Sequence, residues 1–412
     1  MKPPHEVLRL PHCAPPTHNS AGTPGGFAVQ SHAAVPSTPR LTVDLAAVAR
    51  NTRTLADRAA GELMAVVKAD GFGHGAVDVA RTALAHGATR LGVTSLAEAW
   101  ALRDAGLVVP VLSWLNPVDA DFATAAARDV DVAVPSLAHL AAVAAAPGRS
   151  RIHLHVDAGM ARDGAEPEEW AALCRAARRA EVRGQVEVVG VMGHLGCADD
   201  PADECNALGR TRFAWAVEVA RSAGLRPRDR HLAATAATLA DPRTHHTMSR
   251  VGAGLVGIDP SRTTALEPAM TLTAPLVQVR RVRAGTPVGY GHAHRTARAT
   301  HLGLLPLGYA DGLPRVASGS AEVLVRGVRR PVVGRISMDQ VVVDLGAAGA
   351  EAGETVTVFG PGGPGGAGEP TVAEWATWAG TIEHEIVTGI GARVAREVRA
   401  TPHLRALSGS PA

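Results

Sequence analysis

A repeat of strand and helix units constrains this chain more than anything else in it. From about residue 41 to 258, a short β-branched run is followed by an Ala-rich amphipathic stretch and then by the next run. The runs are Leu63–Val67, Leu91–Thr94, Val108–Trp114, Val130–Val134, Ile152–Val156, Val186–Val191, His231–Ala234 and Val251–Val256. Stretches such as AVDVARTALAHG, SLAEAWALRDAG and RTRFAWAVEVARSAG lie between them, with Gly87, Gly106 and Gly224 where helices should stop. Eight such units predict a (β/α)8 barrel rather than a doubly wound sheet, which usually has fewer strands.

After residue 270 the texture changes. LTAPLVQVRRV, ATHLGLLPLGY, EVLVRGVRRPVVGRI, QVVVDLG and ETVTVFG read as strands separated by Gly, Pro and Asp turns, with hardly a helix before TVAEWATWAG. That predicts a second, mainly-β domain. The expected division is a disordered extension over 1–40, a barrel over 41–270 with its first strand free to join the β domain, a β domain over 271–400, and a tail over 401–412. GPGGPGGAGEP (360–370) reads as a flexible surface loop, because no Gly-Lys-Ser/Thr follows to make a phosphate loop.

Several function classes are excluded by composition. Forty-one Lys and Arg against 39 Asp and Glu leave a net charge of +2 without basic blocks. Neither nucleic acid nor an anionic membrane is therefore expected as partner. No run approaches the roughly 18–20 apolar residues of a membrane span, and the Pro- and His-rich N-terminus lacks a signal-type apolar core. Cys13, Cys174, Cys197 and Cys205 show no CxxC pairing, so a reduced, cytoplasmic complement without disulfides or a metal is expected. Lysine is reduced to Lys2 and Lys68, and tyrosine to Tyr290 and Tyr309. Each survivor is worth locating.

Lys68 ends the first barrel strand, AVVK, directly before ADGFGHG. Barrel active sites are built at the C-terminal strand ends, and a shielded lysine can shed its proton and attack a carbonyl to form a Schiff base. Position alone equally suits a strand-end lysine with its head in water. AVVKADGFGHG resembles the cofactor-lysine motif of alanine racemases, pyridoxal-phosphate enzymes with an N-terminal barrel and a C-terminal β domain. HVDAGMARDG, VMGHLGCADD, MSRVGAGLVG, VGYGHAH, LGYADG and VGRISMDQ resemble further segments of that family, in order, from about Thr42 to Arg396.

The resemblance implies roles for individual residues. Lys68 holds pyridoxal 5'-phosphate and serves one face of the substrate. Tyr290 is the second base on the opposite face, reaching the site from the partner subunit of a homodimer, and His194 contacts it. Racemisation needs two bases because one alone tends to return the proton where it came from. Arg250 faces the pyridine nitrogen, where a guanidinium keeps that nitrogen unprotonated. Thr235, with the backbone of Gly252 and Ala253, meets the phosphate at the usual barrel site. Arg162 holds the substrate carboxylate. Met338 contacts substrate from the partner subunit, and Tyr309 and Asp339 belong to the entryway. Without the resemblance, Tyr290 would be a hairpin residue, His194 a core histidine and Arg250 a strand-end arginine.

Three positions depart from the family pattern. A phosphate-contacting tyrosine is Phe72, a second such tyrosine is His384, and the lysine whose carbamate steadies the carboxylate-binding arginine is His155. His384 keeps a donor for the phosphate. His153 and His155 share a strand face but lack a third ligand, so no metal is expected there. The expected function is racemisation of alanine, a small amino-acid substrate and a peptidoglycan precursor in its D form. The alternatives are a serine or other small-amino-acid racemase of the same family, a barrel decarboxylase, and a cofactor-binding protein without catalysis.

Overall fold

The structure is a computed structural model and describes residues 38–362 and 368–400. Most of the expected extension, the expected tail and the middle of the Gly-rich loop lie outside the described residues. Strand β1 (Arg40–Asp44) leads into a helix, Leu45–Arg58, whose first turn is capped by the Asp44 carboxylate accepting from Ala46 N at 2.8 Å.

Eight parallel strands follow: β2 (Glu62–Val66), β3 (Arg90–Val93), β4 (Val111–Ser113), β5 (Val130–Val134), β6 (Ser150–His155), β7 (Val186–Met192), β8 (Asp229–His231) and β9 (Met248–Val251). Each pairs with the next from β2 to β8, and β9 pairs back onto β2. Backbone hydrogen bonds complete the ring between the last two strands, from Thr247 N to Arg230 O (3.2 Å) and from Arg250 N to Ala233 O (3.0 Å). This is a (β/α)8 barrel. Strands such as β3 and β5 are buried at every residue because helices cover one face and the barrel interior the other. Gly106 and Gly224, with φ of 81° and 88°, end helices in the left-handed conformation that spares glycine a Cβ clash.

The seventh and eighth strands sit two to three residues earlier than the apolar runs suggested. Inside a barrel, every second side chain points inward. That is how Asp229, His231 and Arg250 come to occupy strands that an apolar count places further along. Val251–Val256 is accordingly split between the end of β9 and a 3-10 turn, Ala253–Val256.

The β domain contributes β10 (Met270–Pro275), β11 (Gln278–Val282), β12 (Pro287–Val288), β13 (His294–Arg295), β14 (Thr300–Leu305), β15 (Glu322–Val325), β16 (Val328–Pro331), β17 (Val341–Gly346), β18 (Thr355–Phe359) and β19 (Ala395–Arg399). They form a six-stranded sheet in the order β16-β15-β18-β10-β1-β19, a three-stranded sheet β11-β14-β17 and the hairpin β12-β13. Strand β1 lies between β10 and β19, so the described chain passes through this sheet before entering the barrel. Two helices, Val372–Ala379 and Glu383–Gly389, pack on it. Fully buried Trp375 anchors the first by donating to Val358 O at 2.8 Å, and the second carries His384 to the mouth of the barrel. Among the described residues no helix is long and apolar enough to cross a membrane.

Candidate functional site

The inward positions of β2 are Glu62, Met64 and Val66, and Lys68 continues that phase past the strand end. Immediately after it the backbone turns left-handed for five residues: Ala69 (φ 50°), Asp70 (53°), Gly71 (62°), Phe72 (57°) and Gly73 (79°). Each non-glycine there costs about 1–2 kcal/mol, so the turn persists only because its surroundings hold it. Glu98 accepts from Ala69 N at 2.8 Å, the Asp70 carboxylate accepts from Ala76 N at 2.9 Å and pairs with Arg396, and Gly71 N donates to Val67 O at 2.9 Å. Burial alone would raise the Glu98 carboxyl. Hydrogen bonds from Thr94, Ala69 and Ser95 instead hold it below the usual range. The turn lays Phe72 against Gly252, where a Cβ would lie 2.6 Å from the ring.

Lys68 makes no hydrogen bond or ion pair among the described residues. Burial, then the Arg162 and Arg250 cations, lower its amine below the ordinary value against the opposing pull of Glu98. It lines a cavity of about 340 Å³ at the C-terminal strand ends, together with Phe72, His155, Arg162, His194, Thr235, Arg250, Gly252, Ala253 and His384. The structure thus brings the barrel's expected site residues to one place.

Arg250 is the buried cation of this cavity. Its Nη1 donates to His231 O (2.7 Å) and His231 Nδ1 (3.0 Å), and its Nη2 to Gly193 O (2.7 Å), Leu232 O (3.3 Å) and His194 Nδ1 (3.3 Å). None of these bonds uses Nε, the remaining donor of the fork. Burial lowers the guanidinium to about 10, which still leaves it charged at neutral pH. His194 therefore accepts on Nδ1 and carries its proton on Nε2, and burial beside Arg250 and Arg162 pushes it down to about 3. Thr235 Oγ1 accepts from both Gly252 N and Gly254 N at 3.2 Å, so its own proton points elsewhere. With Gly252 N engaged, the free donors at this rim are the Thr235 hydroxyl and Ala253 N. His384 Nδ1 is buried without a partner, 6.0 Å between ring centres from Phe72.

On the opposite wall, exposed Arg162 makes no ion pair among the described residues. His155 Nδ1 stands 3.4 Å from Asp163 Oδ2, close enough for attraction but outside hydrogen-bond geometry. The reading of all cysteines as reduced is corrected: Cys197 and Cys205 form a disulfide, with Cα atoms 6.5 Å apart. Sequence spacing hid this. The loop folds back through Asn206, whose side chain donates to Cys197 O (3.1 Å) and Asp200 O (2.9 Å). Asp203 lies within 4.8 Å of both sulfurs, which are joined to each other.

Four expected site residues lie elsewhere. Tyr290 (67% exposed), Met338 (53%) and Asp339 line a second concavity on the β domain, and Tyr309 (42%) hydrogen-bonds through its backbone to Ser337 O beside it. Within one chain they do not join Lys68. Residues missed from sequence include Trp114 and Asp163, which line the barrel cavity, and His231 beneath it. Inward alternation along each strand was the available signal, since Arg151, His153 and His155 on β6 follow the same two-residue period as Met64, Val66 and Lys68.

Comparison with known proteins gives the same picture across the chain. The domain family described as "Alanine racemase, N-terminal domain" matches residues 43–260, and "Alanine racemase, C-terminal domain" matches residues 269–398. The alanine racemase of Frankia casuarinae is 44% identical over 391 residues, covering 92% of this chain and 99% of the relative. The crystal structure of alanine racemase from D-cycloserine-producing Streptomyces lavendulae superposes with a TM-score of 0.85 at 42% identity, covering 89% of this chain and 98% of that one. A more distant structure, alanine racemase from Bartonella henselae with covalently bound pyridoxal phosphate, gives a TM-score of 0.79 at 26% identity, covering 88% and 100%. With both domain families matched in order and close relatives spanning nearly the whole chain, this protein belongs to the alanine racemase family.

Proposed function

We propose that this protein is a pyridoxal 5'-phosphate-dependent isomerase that interconverts L- and D-alanine as a homodimer with shared active sites. The observation that carries the proposal is the free, half-buried Lys68 amine, lowered by burial and two arginines, in a cavity whose floor is the Arg250 guanidinium. The residues fit the cofactor. Gly252 keeps the wall open where any side chain would strike Phe72. Thr235 and Ala253 offer free donors to a phosphate, and His384, whose buried Nδ1 has no partner, lines the same space. Bound there, pyridoxal phosphate supplies an electron-withdrawing system that makes the substrate's Cα proton removable.

Lys68 takes or returns that proton on one face, which its lowered affinity for protons suits at neutral pH. Arg250 stays protonated and fixed, so it presents a cation and accepts nothing. Arg162 offers an unpaired fork to the substrate carboxylate. Tyr290 serves the other face from the neighbouring subunit, with Met338, Tyr309 and Asp339 around the entrance. Neutral His194, its Nδ1 taken by Arg250, turns an Nε2–H toward the tyrosine oxygen and stabilises its ionised form. The exposure of Tyr290 and Met338, away from the cavity of their own chain, supports this sharing.

Both domains match alanine racemase, so a decarboxylase or a silent cofactor-binding barrel is not favoured. The test is chiral product analysis of the cofactor-loaded protein on L-alanine, L-serine and larger amino acids. Alanine should equilibrate with the highest kcat/KM. A higher value on another amino acid, or release of CO2, overturns the assignment.

A further inference from the structure

The acid–base scheme gives no role to a connected set of buried ionisable side chains beneath Arg250. Below the cavity, inside the barrel, His231 and His153 are almost fully buried and in contact, with His231 Nε2 2.9 Å from His153 Nδ1. His153 Nε2 lies 3.5 Å from Asp131 Oδ2, and Asp131 Oδ1 accepts from Arg151 Nε at 2.6 Å. At the other end, His231 Nδ1 takes the hydrogen bond from Arg250 Nη1. The chain runs from the floor of the cavity to the N-terminal end of the barrel.

Its direction is set by chemistry. A guanidinium has only donors and a carboxylate only acceptors. Arg250 donates, so His231 Nδ1 must be the bare nitrogen and Nε2 must carry the proton. That proton goes to His153 Nδ1, which leaves the His153 proton on Nε2, directed at Asp131. Both rings are neutral, and every hydrogen points from Arg250 toward Asp131. Burial, with Arg250 and His153, lowers His231 well below its ordinary value. Burial would raise Asp131, but His153 and Arg151 hold it below the usual carboxylate range.

Two local features serve this arrangement. The pairing of β6 with β7 shifts register between Ile152 and His153, an irregularity of the kind that re-aims a side chain. Opposite it is Gly190, where a Cβ would lie 2.1 Å from His153 Nδ1. Among the described residues no carboxylate pairs with Arg250 directly. Its partners are three carbonyls and two imidazoles.

We propose that Asp131, His153 and His231 are positioning residues, a one-way hydrogen-bond chain that locks the orientation of the Arg250 guanidinium and ties its charge to the Asp131 carboxylate. The inference rests on Arg250 being the fixed cation of the proposed racemase. The chain explains how a buried guanidinium without an ion-pair partner keeps one orientation: the last acceptor is fixed by Arg151, and each tautomer fixes the next.

The test begins with the cofactor-free protein carrying 15N-labelled histidine, whose long-range proton–nitrogen correlations report the tautomer of each ring. Both His153 and His231 should carry the proton on Nε2; a proton on Nδ1 of either overturns the chain. In His153→Leu, His231 should lose its single tautomer, and kcat for alanine should fall by about 10–100-fold with little change in KM. His153→Gln should recover most of that loss, since its carbonyl can accept from His231 while its amide donates to Asp131. Unchanged kcat in a folded His153→Leu protein, or no recovery with glutamine, also overturns the proposal. Absence of any racemase activity in the unmutated protein would instead sink the proposed function, and the tautomers would still decide the chain.

Discussion

The barrel and the β domain handle polar side chains in opposite ways. The barrel buries them: His153, His231, Asp131 and Arg250 are all at most 5% exposed, and each is held by fixed partners. The β domain buries fewer such groups, Asp311 and Glu369 among them, and holds Tyr290 and Met338 more than half exposed on a concave surface. Burying ions is costly, and around Arg250 the barrel meets that cost with hydrogen bonds from within one chain, which makes a pre-organised floor. Exposed tyrosine and methionine cost little in a lone subunit but do nothing there. The contrast fits the proposed homodimer, in which the barrel half-site of one chain would be completed by the exposed half-site of another copy.

Removing each half in turn tests that division most sharply. Lys68→Ala should abolish the visible band of the cofactor–lysine adduct and lower racemisation by about 10⁴-fold or more, because Lys68 is the only lysine among the described residues. Tyr290→Phe should retain the band yet lose about 10²–10⁴-fold in kcat. Mixing the two defective proteins and allowing subunit exchange should restore activity toward about a quarter of the unmutated level, since half the dimers then carry one intact site. No recovery on mixing, with dimers demonstrably exchanged, breaks the idea of separate half-sites.

A gentler probe is pH. His194 and His74 are pushed down to about 3 and about 4 by burial, whereas in the unfolded chain they titrate near 6.5. Below pH 6.5 the unfolded state therefore binds protons that the folded barrel refuses. Stability is whole above that pH and declines as pH falls toward 4 and then 3. Both histidines belong to the barrel half of the chain, and neither lies in the β-domain sheets. Hydrogen exchange corrected for intrinsic rates should show barrel strands losing protection first on acidification; earlier opening of the sheets contradicts the comparison. The smallest effect belongs to the half-exposed Asp70–Arg396 pair that ties the left-handed turn to β19. Arg396→Ala should cost no more than about 1 kcal/mol in denaturant unfolding, with catalysis nearly intact.

Much of this was legible in the sequence because the repeat and the motifs are local. The β-branched runs mark six of the eight barrel strands closely, and Lys68, His194, Arg162 and Arg250 meet around one cavity. The seventh and eighth strands were misplaced because their inward residues are polar, which lowers the apolar signal where the barrel interior is most functional. The Cys197–Cys205 link was missed because it depends on how a loop folds back, which spacing does not report. Phe72 reads in sequence as a lost hydroxyl, but its packing over Gly252 depends on the fold that brings β9 beside the left-handed turn.

The amino-acid order alone determined the class of fold, the family and the lysine at the strand end, since periodicity and contiguous motifs survive without knowledge of neighbours in space. Tertiary structure decided what those residues are chemically. It set the lowered amine of Lys68, the neutral tautomers of His194, His153 and His231, and the separation of Tyr290 from its own chain's cavity. Proton affinities and hydrogen-bond directions depend on burial and on partners dozens to hundreds of residues away in sequence, and only folding brings those together.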